Sequence, residues 1–486
     1  MPSTSLFVAS IVPLVALLYL QWSKGYFSDL ISGQNAGLLP HSKTPIVMAA
    51  IPAFSHMEKV TPIASSLIDL GYPIIFIAGP EFEEYVESIG ATYVPIEGKG
   101  PSLMNESQMA QFLTLQGDER EIFAFKQIFL DEIPAQHRTI QRTFTQIRKD
   151  YGSDQPLIYI ADCSFAGIAP VLKGAPGIRP DAAFSIGLAP YSGASNDSFP
   201  FRSGRHPDTS PDSKKIHFET QQAQENMYPD AEWNGHVHKV LADAGATSSY
   251  SSIFDMMVLA SDTYLQYGIP AFEYPRSDLR DNLRFIGAPL AVGIAERKLP
   301  SWWDDVVTAK KEGKHIIAVT MSGAIYDNNA LIVPALKAFG HREDLFVVAT
   351  LVNFEPETLD FDIPANTRVT RFFPLDLALP YVDFLISNGG FGTVQQGLKA
   401  GTPMLLSGVG QDKSQTGAIL NYVGNGIYHA VHQVDPEALE RSLDELLRNQ
   451  TYRAKAKSLA KQYEKYDAIK IVDEEIQKVL KQKRNV

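Results

Sequence analysis

Short unbroken apolar runs alternate with longer stretches of helical periodicity along most of this chain. The first run, Pro45–Ile51 (PIVMAAI), predicts a strand entering the loop Pro52–His56. Val60, Ile63, Ala64, Leu67 and Ile68 then fall on one helical face, predicting a helix over Val60–Leu70 that Gly71 ends. The strand Pro73–Ala78 (PIIFIA) completes a βαβ unit, and another, Pro156–Ala161 (PLIYIA), runs into Asp162. Strands that read as continuous apolar runs are those buried on both faces of a parallel sheet. Residues 192–215, rich in Ser, Pro, Asp and Arg, predict an exposed loop, and residues 216–270 a largely helical cap. The second half repeats the pattern with a strand at His315–Val319, a loop at Thr320–Tyr326 and a helix at Asn329–Phe339. Strands at Leu345–Ala349, Arg368–Phe372, Tyr381–Ile386 and Met404–Leu406 follow, with a helix at Val394–Ala400 between the last two.

Alternating β and α elements in both halves predict an α/β protein of two doubly wound, Rossmann-like domains facing a central cleft. The expected boundaries are a hydrophobic segment and connector at 1–40 and a first domain at 41–290. A linker at 291–305, a second domain at 306–450 and C-terminal helices at 451–486 complete the division. The 486 residues are enough for two such domains. The formal net charge of −12 argues against a nucleic-acid backbone as partner. The single cysteine, Cys163, rules out an intrachain disulfide and any multi-cysteine metal site, and predicts a small buried side chain.

Leu6–Trp22 carries no charge over 17 residues. As a helix it would span roughly 25 Å at about 1.5 Å per residue, just under a bilayer core of about 30 Å. MPSTS holds no basic residue, and Lys24 lies on the C-terminal side. The expectation is an N-terminal membrane anchor, of endoplasmic-reticulum type, with the body of the chain in the cytosol; a cleaved signal and a hydrophobic docking helix are the alternatives.

The stretch with most chemistry is Arg371–Asn421. The turn Asn388-Gly389-Gly390-Phe391-Gly392-Thr393 follows a strand and opens a helix. A helix start presents unpaired N–H groups and partial positive charge, and glycines let a ligand approach the backbone, so this turn suits a phosphate. Upstream, His56 sits at the carboxyl end of a strand, where ligands bind in open α/β sheets, and an imidazole there can take a proton from a hydroxyl. Asp162 ends another strand of the same predicted sheet and can orient that imidazole.

Other patterns fail. Gly389-Gly390-Phe391-Gly392 lacks the G-x-G-x-x-G spacing of a dinucleotide site, and Asp412-Lys413-Ser414 lacks the glycine of a P-loop. No G-x-S-x-G elbow exists for a serine hydrolase. His236-Val237-His238 has no acidic third ligand at helical spacing, and Asp360-Phe361-Asp362 falls in a loop before Pro364, so no metal site is expected.

Between Phe372 and Lys413 the chain resembles the signature region of the UDP-dependent glycosyltransferases, family 1 type with GT-B architecture, of the fungal kind. The matching positions are Phe372, Pro374, Asn388, Gly390, Phe391, Thr393, Gln396, Ala400-Gly401-Thr402-Pro403, Asp412 and Lys413. The resemblance implies a UDP-sugar co-substrate, no other cofactor, and a lipophilic hydroxylated acceptor. It also implies that His56 is the general base and Asp162 its partner.

In the donor half, the resemblance puts Phe372 on uracil and Ser322, Gly323, Asn388, Gly390, Gly392 and Thr393 around the diphosphate. Gln396 would meet the ribose, and Asp412 and Lys413 the sugar. Five positions depart from the family: Ser55 for Gly, Leu375 for Gln, Asn388 for His, Gln396 for Glu and Lys413 for Gln. Ser322 and Gly323 also stand in reversed order.

The implied reaction is inverting transfer of a hexose, glucose first, to a hydroxyl of a sterol, hydroxylated lipid or secondary metabolite. The acceptor is expected against first-domain loops including Ile122–Ile133. The alternatives are a catalytically inert relative acting as a partner protein and a nucleotide-sugar epimerase.

Overall fold

The computed structural model describes residues 44–98, 100, 103–288, 298–322, 327–352 and 354–484. The apolar runs form two sheets. The first contains β1 (Ile46–Ala49), β2 (Ile74–Ala78), β3 (Thr92–Pro95), β4 (Ile158–Asp162), β5 (Ala182–Gly187), β6 (Thr263–Gln266) and β7 (Leu283–Phe285). Its order is β3-β2-β1-β4-β5-β6-β7, all parallel. The second contains β8 (His315–Thr320), β9 (Leu345–Thr350), β10 (Thr367–Thr370), β11 (Phe384–Ser387), β12 (Met404–Ser407) and β13 (Gly426–His429). Its order is β10-β9-β8-β11-β12-β13, again all parallel.

Both orders reverse direction at the sheet centre, between β1 and β4 and between β8 and β11. The crevice at the carboxyl ends of those strands is where an open α/β sheet binds ligands. Alternate residues of β1 enter different cores. Ile46 and Met48 join one apolar cluster, Val47 and Ala49 another, because successive strand side chains point to opposite faces. The central strands are therefore apolar throughout, while the edge strands β3 and β7 are half-exposed.

Eight helices matter for the site: α1 (Phe54–Asp69), α2 (Ile133–Tyr151), α3 (Ser213–Glu225), α4 (Asp230–Asp243), α5 (Phe391–Ala400), α6 (Lys413–Val423), α7 (Gln450–Tyr463) and α8 (Ala468–Arg484). The last helix lies on the first domain. Asp473 accepts from Tyr72 at 2.5 Å, Glu475 pairs with Arg284 at 2.7 Å, and Lys483 pairs with Asp181 at 2.5 Å. Its Val472, Ile476 and Leu480 share one buried cluster with Val60, Ile63 and Leu67 of α1 and with Val394 and Leu398 of α5. Burying each such side chain contributes about 1.5–3 kcal/mol. The two sheets are thus fastened through a common apolar seam, supplemented by Lys399 donating to the Ala288 carbonyl at 2.8 Å.

Several elements differ from the pattern reading. α1 begins at Phe54, six residues before Val60, so His56 occupies the first helical turn instead of a loop. α5 likewise begins at Phe391, placing Gly392 and Thr393 inside the helix. The strand β6 lies within the stretch expected to be helical, and Leu283–Phe285 forms an edge strand just ahead of the expected linker. Residues 192–200 are not a solvated loop. Ser192, Ser195, Ser198 and Phe199 are buried, their polarity absorbed by bonds such as Ser195 to Asp278 at 2.8 Å and Arg276 to Ser198 at 3.1 Å. The apolar segment Leu6–Trp22 lies outside the described residues. Among the described residues no helix is long and apolar enough to cross a membrane.

Candidate active site

The first half of the site is built where β1 and β4 end side by side. The Asp162 carboxylate is fully buried and accepts two backbone N–H groups, Ile51 at 2.8 Å and Ser164 at 2.7 Å. One bond ties it to the end of β1, the other to its own turn, so the carboxylate is fixed before any ligand arrives. Its Oδ1 lies 3.3 Å from Nδ1 of His56, whose side chain is 21% exposed. That separation exceeds the 2.7–2.9 Å or so of a tight charge-assisted bond. Nδ1 is buried and makes no hydrogen bond, with Asp162 beside it. The neighbouring Cys163 is buried, and burial followed by the Asp162 charge pushes its thiol up to about 11, which makes it inert packing.

The second half is the start of α5. Gly389 has φ of +88°, a left-handed conformation that favours glycine. A Cβ on Gly390 would overlap the Ser322 side chain, so glycine lets the β8 loop close over the turn. Asn388 is buried and holds that loop. Its carboxamide oxygen accepts from Ser322 N at 3.0 Å and Ser322 Oγ at 3.1 Å, and its NH2 donates to the Ser322 carbonyl at 2.8 Å. Most of the hydrogen-bonding capacity expected to meet a phosphate is therefore spent positioning Ser322, with one N–H left over.

Asp412 also departs from a simple sugar contact, since its Oδ2 accepts from the Phe391 N–H at 3.0 Å. A carboxylate thus already sits at the helix start, as its polarity favours. The next two N–H groups, on Gly392 and Thr393, belong to the first helical turn and have no intrahelical acceptor. Phe372 is 42% exposed whereas Phe373 is buried against Trp303, so Phe372 is the ring of the pair available as a stacking platform. Gln396 is half-buried one turn after Gly392, and Lys413 donates to Gln411 at 2.6 Å. Gly323 lies outside the described residues.

A cavity of about 470 Å³ is lined by Met227, Tyr228 and Arg202 of the first domain and Gly410, Gln411 and Ser414 of the second; neither His56, Asp162 nor the start of α5 lines it. Met227 and Tyr228 are strongly exposed for apolar residues. The segment Ile122–Ile133 offers less surface than expected, because Phe125 is buried with its ring 4.6 Å from Trp233. His236 pairs with Asp131 at 2.6 Å, and no cluster of three metal-ligating side chains occurs among the described residues.

Comparison with known proteins decides the family. The chain is 32% identical over 437 residues to UDP-glucosyltransferase avaP of Aspergillus versicolor, covering 88% of this chain and 95% of that protein. It belongs to the UDP-glycosyltransferase family. UDP-glucosyltransferase B1 of Starmerella bombicola is 28% identical over 443 residues, 89% of this chain and 98% of that one. Residues 337–472 match the profile of the erythromycin biosynthesis protein CIII-like C-terminal domain.

Among solved structures, the glycotransferase of kitacinnamycin superposes with a TM-score of 0.63 at 16% identity, covering 90% of this chain and 98% of that one. Glycosyltransferase VinC in complex with DTDP gives 0.57 at 18% identity, covering 90% of this chain and all of that one. This UDP-glycosyltransferase is therefore an enzyme of the GT-B fold that moves a sugar from a UDP-sugar to a small-molecule acceptor.

The sequence reading missed Lys59 of α1. Lys59 precedes the expected helix at Val60–Leu70, whereas in α1 it lies three residues after His56, on the same helical face.

Proposed function

We propose that this UDP-glycosyltransferase transfers glucose, with inversion, from UDP-glucose to a hydroxyl of a lipophilic small molecule. The observation that carries the chemistry is the His56–Asp162 pair at the carboxyl ends of adjacent strands. His56 accepts the proton of the acceptor hydroxyl as its oxygen attacks C1. The bond from C1 to the β-phosphate oxygen breaks, and the electron pair leaves with UDP. Asp162 holds the imidazole by Nδ1 and stabilises the imidazolium that forms.

The departing negative charge develops at the start of α5, where the Gly392 and Thr393 N–H groups and the helix dipole are already in place. Phe372 supplies the uracil platform, Gln396 reaches the ribose, and Asp412 with Lys413 meets the sugar. In this reading Asp412 exchanges its bond to Phe391 N for sugar hydroxyls as the diphosphate arrives.

Glucose as the donor sugar is supported by the names of two of the fungal relatives. A lipophilic acceptor is supported by Phe54, exposed two residues before His56, and by Met227 and Tyr228 on the interdomain cavity. Measuring UDP release with UDP-glucose, UDP-galactose, UDP-xylose and UDP-glucuronate across a panel of sterols, hydroxy fatty acids and phenols checks both halves. The expected result is turnover with UDP-glucose at least tenfold above the other donors and only with acceptors carrying a free hydroxyl. Turnover confined to another donor would overturn the glucose assignment, and sugar isomerisation without an acceptor would favour an epimerase.

A further inference from the structure

Lys59 is among the least exposed charged side chains of the first domain, yet it reaches across to the second. An ideal Cβ on Gly392 would lie 2.7 Å from Lys59 Cε and 3.4 Å from its Nζ, so the ammonium stands directly against the second residue of α5.

The placement is electrostatically odd. The N-terminus of a helix carries partial positive charge, and cations are favoured at the opposite end. Lys59 is ion-paired with Glu58, its neighbour in sequence, and Asp376 attracts it through space. Burial nevertheless lowers its ammonium to about 8, with Asp376 only partly offsetting the loss of water. An ammonium and a helix start converging on one point make sense together when an anion sits between them.

We propose that Lys59 is a ligand to the donor diphosphate, contributed by the first domain from the helix that carries His56. The proposal rests on the donor reading above. His56 and Lys59, three residues apart on α1, lie about 5–6 Å apart at Cβ. One rigid helix then carries both the base for the incoming hydroxyl and the cation for the outgoing phosphate. Lys59 would leave Glu58 for the β-phosphate, where negative charge grows as the glycosidic bond breaks.

The test compares UDP with uridine, since only UDP carries the groups Lys59 would touch. Calorimetry on the full chain measures both affinities for wild type, Lys59→Met and Lys59→Arg. Methionine is close in shape and apolar, so the buried site keeps its packing. The expected result is a loss of about 10- to 100-fold in UDP affinity for Lys59→Met with uridine unchanged, and recovery to within a few-fold for Lys59→Arg.

Equal weakening of UDP and uridine in Lys59→Met would mean a structural role, and unchanged UDP affinity would mean no role; either overturns the proposal. A wild type that binds no UDP would instead sink the donor reading itself. Wild type alone supplies a second readout. The groups facing Lys59 are Glu58 on its own helix, Asp376 from the segment Leu375–Ala378, and the start of α5 at Gly392. Binding a diphosphate raises the ammonium pKa, so the advantage of UDP over uridine is full below about pH 8 and shrinks above it. A ratio that stays flat between pH 7 and 10 contradicts the contact.

Discussion

His56→Ala is expected to lower kcat for glucosyl transfer by about 10²–10⁴-fold, the span a positioned general base contributes. UDP affinity should change less than about threefold, because the residue belongs to the first domain and, as the proposed base, would meet the acceptor. Stability should also hold, since the ring is only partly buried and its removal leaves no backbone group without a partner other than water. The combination is diagnostic. A residue that merely packed the start of α1 would alter the melting temperature and both kinetic constants together, whereas a base alters kcat alone. Steady-state kinetics with a calorimetric UDP titration decides it. Full transfer by His56→Ala would remove the base assignment.

Asp162 carries the second large effect, through catalysis and folding at once. Alanine there strands the Ile51 and Ser164 N–H groups in a fully buried site, at about 1–3 kcal/mol each, or about 2–6 kcal/mol together. Asp162→Ala should therefore melt at clearly lower temperature and be inactive. Asp162→Asn is the sharper probe. Its single carboxamide oxygen can serve one of the N–H groups while the NH2 faces the other, so a smaller destabilisation remains. The amide is uncharged and cannot stabilise an imidazolium, so kcat should still fall by 10²-fold or more. UDP titration of Asp162→Asn should match wild type. A variant that melts lower but turns over at the wild-type rate would make Asp162 a purely structural cap, which is the role its two backbone bonds alone could fill.

Much of this architecture was legible in the chain because buried parallel strands announce themselves. PIVMAAI, PIIFIA and PLIYIA are too apolar and too short to be anything else, and the glycine turn before α5 marks a helix start at the carboxyl end of the second sheet. Helix starts were less legible. Phe54, Ser55 and His56 carry no side-chain cap, and the first apolar position in helical register is Met57, so the pattern reading began α1 late and lost Lys59.

The polar partnerships were hidden for another reason. Asn388 and Ser322 are 66 residues apart, and their three hydrogen bonds arise only because β8 and β11 are neighbours in the sheet. Nothing local distinguishes an asparagine that clamps a loop from one that meets a phosphate. The same holds for Asp412 on the Phe391 N–H, and for the buried serines of 192–200, whose composition reads as solvated until their partners at Arg276 and Asp278 are seen.

A single displacement with one base and no protein nucleophile fixes the stereochemistry of the product. In UDP-glucose the sugar is joined to phosphate in the α configuration. The direct measurement is the C1–H1 coupling and H1–H2 splitting of the glucoside, read by NMR from the product formed with an acceptor that passes the UDP-release screen. Attack on the face opposite the diphosphate predicts the β-glucoside alone. An α-glucoside would contradict the account, because it requires either a second displacement or attack from the side on which UDP departs.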